Sequence, residues 1–311
     1  MEYRQLGNSG TRVSVIGIGT NQFGGKVDQT LANKVIDAAV DLGINFIDTA
    51  DVYTGGQSEV LLGNALKGKW DRFVVATKVF FKTGEGPNDH GASRYHIMNG
   101  IDASLKRLQS DHVDLYQIHR WDAGTPIEET LRALDDLVSS GKVRYIGASA
   151  FASWQLAKAN LLADVRGWSP FVTVQSHYHM LEREVEREVI PYCKEHGVGF
   201  IPFFPLAGGF LTGKYLRDQG APAGSRGESS EYVQQYMTEA NYDIVERLSA
   251  WAEARGRSMS ALAHAWLMAQ PQVCSVISGL TKLEHLLANA EAADWHLNPE
   301  EALEIDGILR K

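Results

Sequence analysis

Short apolar runs of strand length alternate with helix-patterned segments along the whole of this 311-residue chain. The runs fall at 15–19, 44–47, 73–76, 113–118, 143–146, 172–174, 198–201 and 273–277. Brief, nearly continuous apolar stretches suit strands buried on both faces, as in parallel sheets. Helical spacing covers 28–43 and stops at Gly43, a residue suited to the left-handed end of a helix. Ser58 stands where it would cap a helix running to Lys67. Further helices are expected over 94–108, 240–255, 258–269, 281–292 and 299–310, with another starting at Pro126 and ending at Gly141. Eight strand–helix units with mostly short connections imply a parallel sheet, and eight close a (β/α)8 barrel. Periodicity alone leaves a doubly wound open sheet as an alternative. Segments 3–6 and 11–13 read as a small β-hairpin capping one end, and extra helices follow at the C-terminus. No linker or composition break divides the chain, so residues 1–311 are expected to form one domain.

Three of the strand runs carry chemistry at the same end. They lead into Asp48-Thr49-Ala50-Asp51-Val52-Tyr53, Ala76-Thr77-Lys78 and Gln117-Ile118-His119. In a parallel barrel those ends converge on one face. Tyr53 is the candidate general acid. A free phenol, with a pKa near 10, holds its proton too tightly to donate easily at neutral pH. A nearby ammonium favours the phenolate, and Lys78 can supply that charge. Asp48 can orient Lys78 by a salt bridge. His119 can hydrogen-bond a carbonyl oxygen or pass the proton. Each of these residues alone reads as an ordinary strand-end polar group; the four together do not.

A net charge of −8 argues against a general binder of nucleic acid or anionic membrane, though not against a local basic pocket for phosphate. Cys193 and Cys274 fit no zinc or redox spacing and are expected as buried free thiols. The pair His177 and His179 could hold a metal, but with no cysteine beside it no metal site is expected. The N-terminal residues lack a signal peptide's apolar core, and no apolar run approaches the roughly 18 residues of a membrane span. A cytoplasmic protein is the expectation. Phe23, Phe80, Phe81 and Trp121 are candidate pocket-lining aromatics, and the polar loop 82–92 is a candidate lid.

The chain resembles the aldo-keto reductases, in particular the branch that includes bacterial general reductases and potassium-channel β subunits. The likeness covers nearly its whole length. It is carried by Asn45-Phe46-Ile47 with the Asp48–Tyr53 run, Ser58-Glu59, Val75-Ala76-Thr77-Lys78 and Asp114-Leu115-Tyr116-Gln117-Ile118-His119. Gly141-Lys142-Val143-Arg144-Tyr145-Ile146-Gly147-Ala148-Ser149, Val174-Gln175, Tyr178-His179-Met180-Leu181-Glu182-Arg183 and Pro205-Leu206-Ala207-Gly208-Gly209-Phe210-Leu211-Thr212-Gly213-Lys214-Tyr215 extend it.

The resemblance implies a barrel that binds NADP(H) without a dinucleotide-binding domain, and NAD(H) stays open. Consistently, Gly17-Ile18-Gly19 does not continue into a Gly-x-Gly-x-x-Gly fingerprint. It also implies hydride transfer to an aldehyde or ketone with Tyr53 protonating the oxygen, or the reverse, on a small carbonyl or alcohol substrate. A homo-oligomer is possible within it. A nucleotide-sensing subunit with little turnover and an NAD-linked alcohol or sugar dehydrogenase are the competing readings.

By the same resemblance Gly19, Thr20, Asn21 and Asp48 border the cofactor. Ser149 and Gln175 hold its carboxamide, and Phe203 stacks on the nicotinamide. Leu206, Gly208, Gly213 and Lys214 wrap the pyrophosphate, and Arg226 closes over it. Gly279, Thr281, Lys282, His285 and Asn289 take the adenosine and its 2′-phosphate. The chain departs from many relatives at Ala150, His285 and Ala288.

Overall fold

The structure, a computed structural model, describes residues 1–310. Eight parallel strands form the barrel: β3 (Ile16–Gly19), β4 (Phe46–Asp48), β5 (Val74–Val79), β6 (Val113–Ile118), β7 (Val143–Ser149), β8 (Phe171–His177), β9 (Gly199–Phe203) and β10 (Val276–Gly279). They pair in the order β10-β3-β4-β5-β6-β7-β8-β9. The ring closes through a parallel bridge between Phe200 and Val273. There the Phe200 N–H donates to Gln272 O and the Cys274 N–H to Phe200 O, both at 2.9 Å. The open-sheet alternative is thereby excluded.

β1 (Tyr3–Gln5) and β2 (Arg12–Ser14) form the expected antiparallel hairpin. Val13 of β2 and Leu6, just after β1, are fully buried against Phe46, Ala76, Leu115 and Ile201. Side chains of a strand alternate between faces, so this cluster is the barrel interior and the hairpin plugs its lower end. The second, larger apolar layer lies between the strands and the surrounding helices. Both cysteines are buried and free.

The helices are α1 (Gln29–Leu42), α2 (Gln57–Ala65), α3 (Arg94–Leu108), α4 (Ile127–Ser139), α5 (Ser153–Arg166), α6 (Val189–His196), α7 (Glu231–Gln234), α8 (Glu239–Glu253), α9 (Met259–Met268), α10 (Leu283–Ala292) and α11 (Pro299–Leu309). α1 starts where the Asp28 carboxylate accepts from the Leu31 N–H at 2.8 Å. It ends at Gly43, whose φ of 72° is open to a residue without a Cβ.

Several details differ from the sequence expectation. Gly56, not Ser58, precedes the first turn of α2, and the helix ends at Ala65. Ser58 is inside that turn, and its hydroxyl lies 2.8 Å from those of both Thr20 and Thr49. It therefore ties the ends of β3 and β4 together. β10 spans 276–279, three residues further on than the apolar run 273–277 suggests. Helices α5 and α6 carried no recognisable pattern. Trp154, Leu161 and Val165 of α5 are exposed, which blurs its polar face, and α6 has only eight residues with Pro191 among them. Among the described residues, no helix is long and apolar enough to cross a membrane.

Candidate active site

The strand period of two sets an apolar layer beneath a polar one inside the barrel. Phe46, Ala76 and Leu115 belong to the interior apolar cluster. Two residues further along the same strands stand Asp48, Lys78 and Gln117. Register aligns them: Asp48 pairs with Ala76, Lys78 with Gln117, and Ser149 with Gln175. A lysine buried this completely requires compensation.

Lys78 Nζ donates to Asp48 Oδ2 at 2.5 Å and to the Thr49 carbonyl at 2.8 Å, and it approaches the Tyr53 hydroxyl at 3.2 Å. The other Asp48 oxygen accepts from Gln117 Nε2 at 3.1 Å and Gln175 Nε2 at 2.9 Å. Asp48 is thus fixed by three strands besides its own. Tyr53 reaches the lysine because the chain turns sharply after β4. The Asp51 N–H donates to Lys78 O at 3.2 Å. A short 3₁₀ segment, Tyr53–Gly56, then takes positive φ at Thr54, Gly55 and Gly56. The Thr54 hydroxyl locks that turn by donating to Phe23 O at 2.6 Å.

His119 stands edge-on to Tyr53, with ring centres 5.9 Å apart, and edge-on to Phe81 at 4.8 Å. Its Nδ1 is buried without a partner, so Nε2 is the nitrogen left for a ligand. Burial, then the charges of Lys78 and Arg120, push its pKa down to about 2. The imidazole is neutral, and a proton-passing role needs a protonated state that this setting suppresses. A neutral ring whose Nε2–H holds an oxygen suits the site better.

The balance at Tyr53 differs from the expectation that Lys78 lowers its pKa. Burial raises it and the Lys78 ammonium pulls it down, but Asp48 pushes upward as well, and the phenol ends above the ordinary value. Asp48 offsets much of the lysine's charge before the phenol feels it. Burial also works against the Lys78 ammonium, yet Asp48 and Tyr53 hold it above the usual range. At neutral pH the pair is therefore a protonated phenol beside a charged ammonium.

Burial likewise holds His177 and His179 neutral. With His119 they take up protons only on unfolding. Between their depressed folded values and an ordinary imidazole near 6.5 the unfolded chain binds more protons. Stability then rises with pH across that window and is lost as pH falls through it. Urea unfolding should show a lower midpoint at pH 5 than at pH 7, and His119→Asn should narrow the gap; an unchanged gap means that His119 is solvated in the fold.

The residues expected around a cofactor line the other side of the mouth. Gly19 pairs in register with Gly279. A Cβ on Gly279 would lie 2.9 Å from Asn21 Oδ1, which is buried without a partner. Thr20 donates to Asp48 O at 3.0 Å. Ser149 and Gln175 are buried at the ends of β7 and β8, and Gln175 keeps one N–H and its carbonyl oxygen for a ligand amide. Phe203 stacks on the His177 ring at 5.4 Å. Leu206 leads into a loop with positive φ at Gly208, Gly209 and Gly213. Arg226 lies over the Phe204 ring at 5.8 Å, and burial lowers its pKa against the opposing pull of the Tyr215 phenol. Burial, then the charges of Lys282 and Lys214, lowers the pKa of His285, so both cations lie near that ring. The Thr281 N–H donates to His285 Nδ1 at 3.4 Å, and one turn on Asn289 is buried.

Comparison with known proteins agrees with this architecture. The sequence profile described as "Aldo/keto reductase family" matches residues 15–310. The chain belongs to the aldo/keto reductase family. A Bacillus subtilis protein named "Uncharacterized oxidoreductase YrpG" is 37% identical, the alignment covering 96% of this chain and 93% of that one. "Versiconal hemiacetal acetate reductase" of Aspergillus parasiticus is 34% identical, with 97% and 95% covered. "Probable voltage-gated potassium channel subunit beta" of Oryza sativa subsp. japonica is 37% identical, with 100% and 97% covered. Family membership and the oxidoreductase relatives support a general oxidoreductase role, and aldo/keto reductases generally use nicotinamide cofactors.

In this aldo/keto reductase, three features of the site were not picked out from the sequence. Gln117 was read only as part of a motif, although its place two residues before His119 on one strand marks it as inward-facing. Asp51 is buried with both carboxylate oxygens unpartnered; burial, then Glu59, raises its pKa to about 7. Tyr232 of α7 carries no sequence signal for its contact. Its hydroxyl lies 2.6 Å from His177 Nε2, which is itself 3.0 Å from His179 Nε2. Val233 meanwhile packs on Gly208, where an added Cβ would approach it to 2.5 Å. The segment after β9 is thus fastened across the Phe203 side of the mouth.

Proposed function

We propose that the protein is an NADP(H)-dependent oxidoreductase that reduces aldehydes or ketones to alcohols, or runs the reverse, with Tyr53 as the general acid. The observation that carries this reading is the Lys78 ammonium 3.2 Å from the Tyr53 hydroxyl and 2.5 Å from Asp48. The residues around the mouth suit a nicotinamide dinucleotide. Asn21 Oδ1 is an orphaned acceptor beside Gly279, Ser149 and Gln175 offer an amide's complement, and Phe203 offers a face. Leu206, Gly208 and Gly213 provide a close-fitting loop, while Lys214, Arg226, Thr281 and Lys282 suit its phosphates.

The reduced nicotinamide supplies the hydride. His119 Nε2–H and the Tyr53 hydroxyl bind the carbonyl oxygen and polarise it. As negative charge develops on that oxygen, Tyr53 hands over its proton. The phenolate left behind is stabilised by Lys78, which Asp48 keeps charged and in position. A phenol held above its ordinary pKa stays protonated until the oxygen becomes basic, which suits reduction. The protein is further proposed to act as one cytoplasmic barrel domain on a small carbonyl compound.

Fluorescence titration with NADPH and NADH, followed by a carbonyl panel with the tighter cofactor, tests the reading. NADPH should bind more tightly, and Lys282→Ala should weaken NADPH by about tenfold while sparing NADH, as loss of one charge-assisted phosphate contact implies. Equal loss for both cofactors would remove Lys282 from the 2′-phosphate. Tight binding without turnover of any carbonyl would favour the nucleotide-sensing alternative, which the channel-subunit relatives keep in view.

A further inference from the structure

Cations at the mouth of the barrel fall into two groups. Lys214, Arg226 and Lys282 follow β9 or β10, on the side where cofactor phosphates account for them. Arg120 does not belong there. It follows β6, which stands four places from β10 around the eight-strand ring.

Its guanidinium carbon lies 5.9 Å from the centre of the Phe81 ring. Phe81 in turn meets His119 at 4.8 Å and 73°, and His119 meets Tyr53 at 5.9 Å. One aromatic ring therefore separates the exposed charge from the imidazole, which registers it: Arg120 is among the groups that hold His119 unprotonated. No carboxylate pairs with Arg120 among the described residues. The nearest acid along the chain, Asp122, is committed elsewhere. Its oxygens accept from Ala92 N at 2.7 Å, Thr125 Oγ1 at 2.8 Å and Gly124 N at 2.8 Å. Phe81 holds the guanidinium by a cation–π contact, and its five donors face no internal acceptor.

We propose that the substrate is a carbonyl compound carrying an anionic group, a carboxylate in the simplest case, about one benzene ring from its carbonyl. Arg120 recognises the anion, and Phe81 supports the spacer. The planar fork of an arginine matches a carboxylate with two parallel hydrogen bonds. The inference rests on the preceding reading, in which Tyr53 and His119 receive the carbonyl oxygen.

The test compares 4-carboxybenzaldehyde, ionised at neutral pH, with methyl 4-formylbenzoate, which shares the ring and carries no charge. The ester is the more electrophilic aldehyde, so a preference for the acid runs against intrinsic reactivity. Wild-type protein should favour the acid in kcat/KM by about tenfold or more, mostly through KM, and added salt should erode the preference. Arg120→Gln should lower the acid-to-ester ratio by about tenfold or more, and Arg120→Lys should restore part of it. A wild-type ratio near one, or a loss in Arg120→Gln that falls equally on both aldehydes, overturns the proposal. Binding of 4-(hydroxymethyl)benzoate to the cofactor-loaded protein, read by tryptophan fluorescence, reports on Arg120 without turnover. At least about tenfold weaker binding in Arg120→Gln supports the contact, and unchanged binding removes it. Arginine-dependent binding in a protein that reduces no carbonyl would defeat the proposed activity and leave the anion site standing.

Discussion

Tyr53→Phe should reduce kcat for carbonyl reduction by about 10²–10⁴, the range expected for loss of a positioned general acid. Cofactor affinity should stay within about threefold, because the proposed mechanism directs the hydroxyl at the reacting oxygen and not at the nucleotide. The fold should survive as well. The Tyr53 hydroxyl has one hydrogen-bond partner, Lys78 Nζ, and that ammonium keeps Asp48 Oδ2 and the Thr49 carbonyl. A stability change of about 1 kcal/mol or less is expected for one such bond. Steady-state kinetics beside a cofactor titration and a urea melt separates these effects. Full activity in Tyr53→Phe would remove Tyr53 from the proton transfer.

Lys78→Met should damage stability as well as activity. The lysine side chain has no solvent exposure and its partner Asp48 only 5%. Removing the ammonium leaves a buried carboxylate held only by the Gln117 and Gln175 amides. Breaking one partner of a buried pair costs about 3–5 kcal/mol. Asp48→Asn in the same chain should recover most of that loss, since a neutral amide no longer requires a cation, while turnover stays lost. Chemical denaturation of the single and double variants reads the effect. Additive losses in the double variant would mean that the pair is solvated and its charges act independently.

The barrel was legible because buried parallel strands need short apolar runs, and β6 coincides with the expected 113–118. α5 was not, because its exposed Trp154, Leu161 and Val165 reflect a surface whose contacts lie far away in sequence. Tyr53, Lys78, Asp48 and His119 could be named as one site because each ends or follows a strand, and strand ends converge. Ser58 was misread as a cap because a serine before a helical run has two local uses. The choice between them depended on Thr20, 38 residues away.

The order of apolar runs and strand-end polar residues by itself determined the barrel, the end where Asp48, Tyr53, Lys78 and His119 gather, and the identity of those four groups. These follow from local periodicity and from the geometry of parallel strands. Only the tertiary structure decided the direction of the Tyr53 pKa, the double amide clamp on Asp48, the Tyr232–His177 fastening and the position of Arg120 one ring from His119. Those depend on burial and on distances between residues far apart in sequence, where a change of a few ångströms alters which charge prevails.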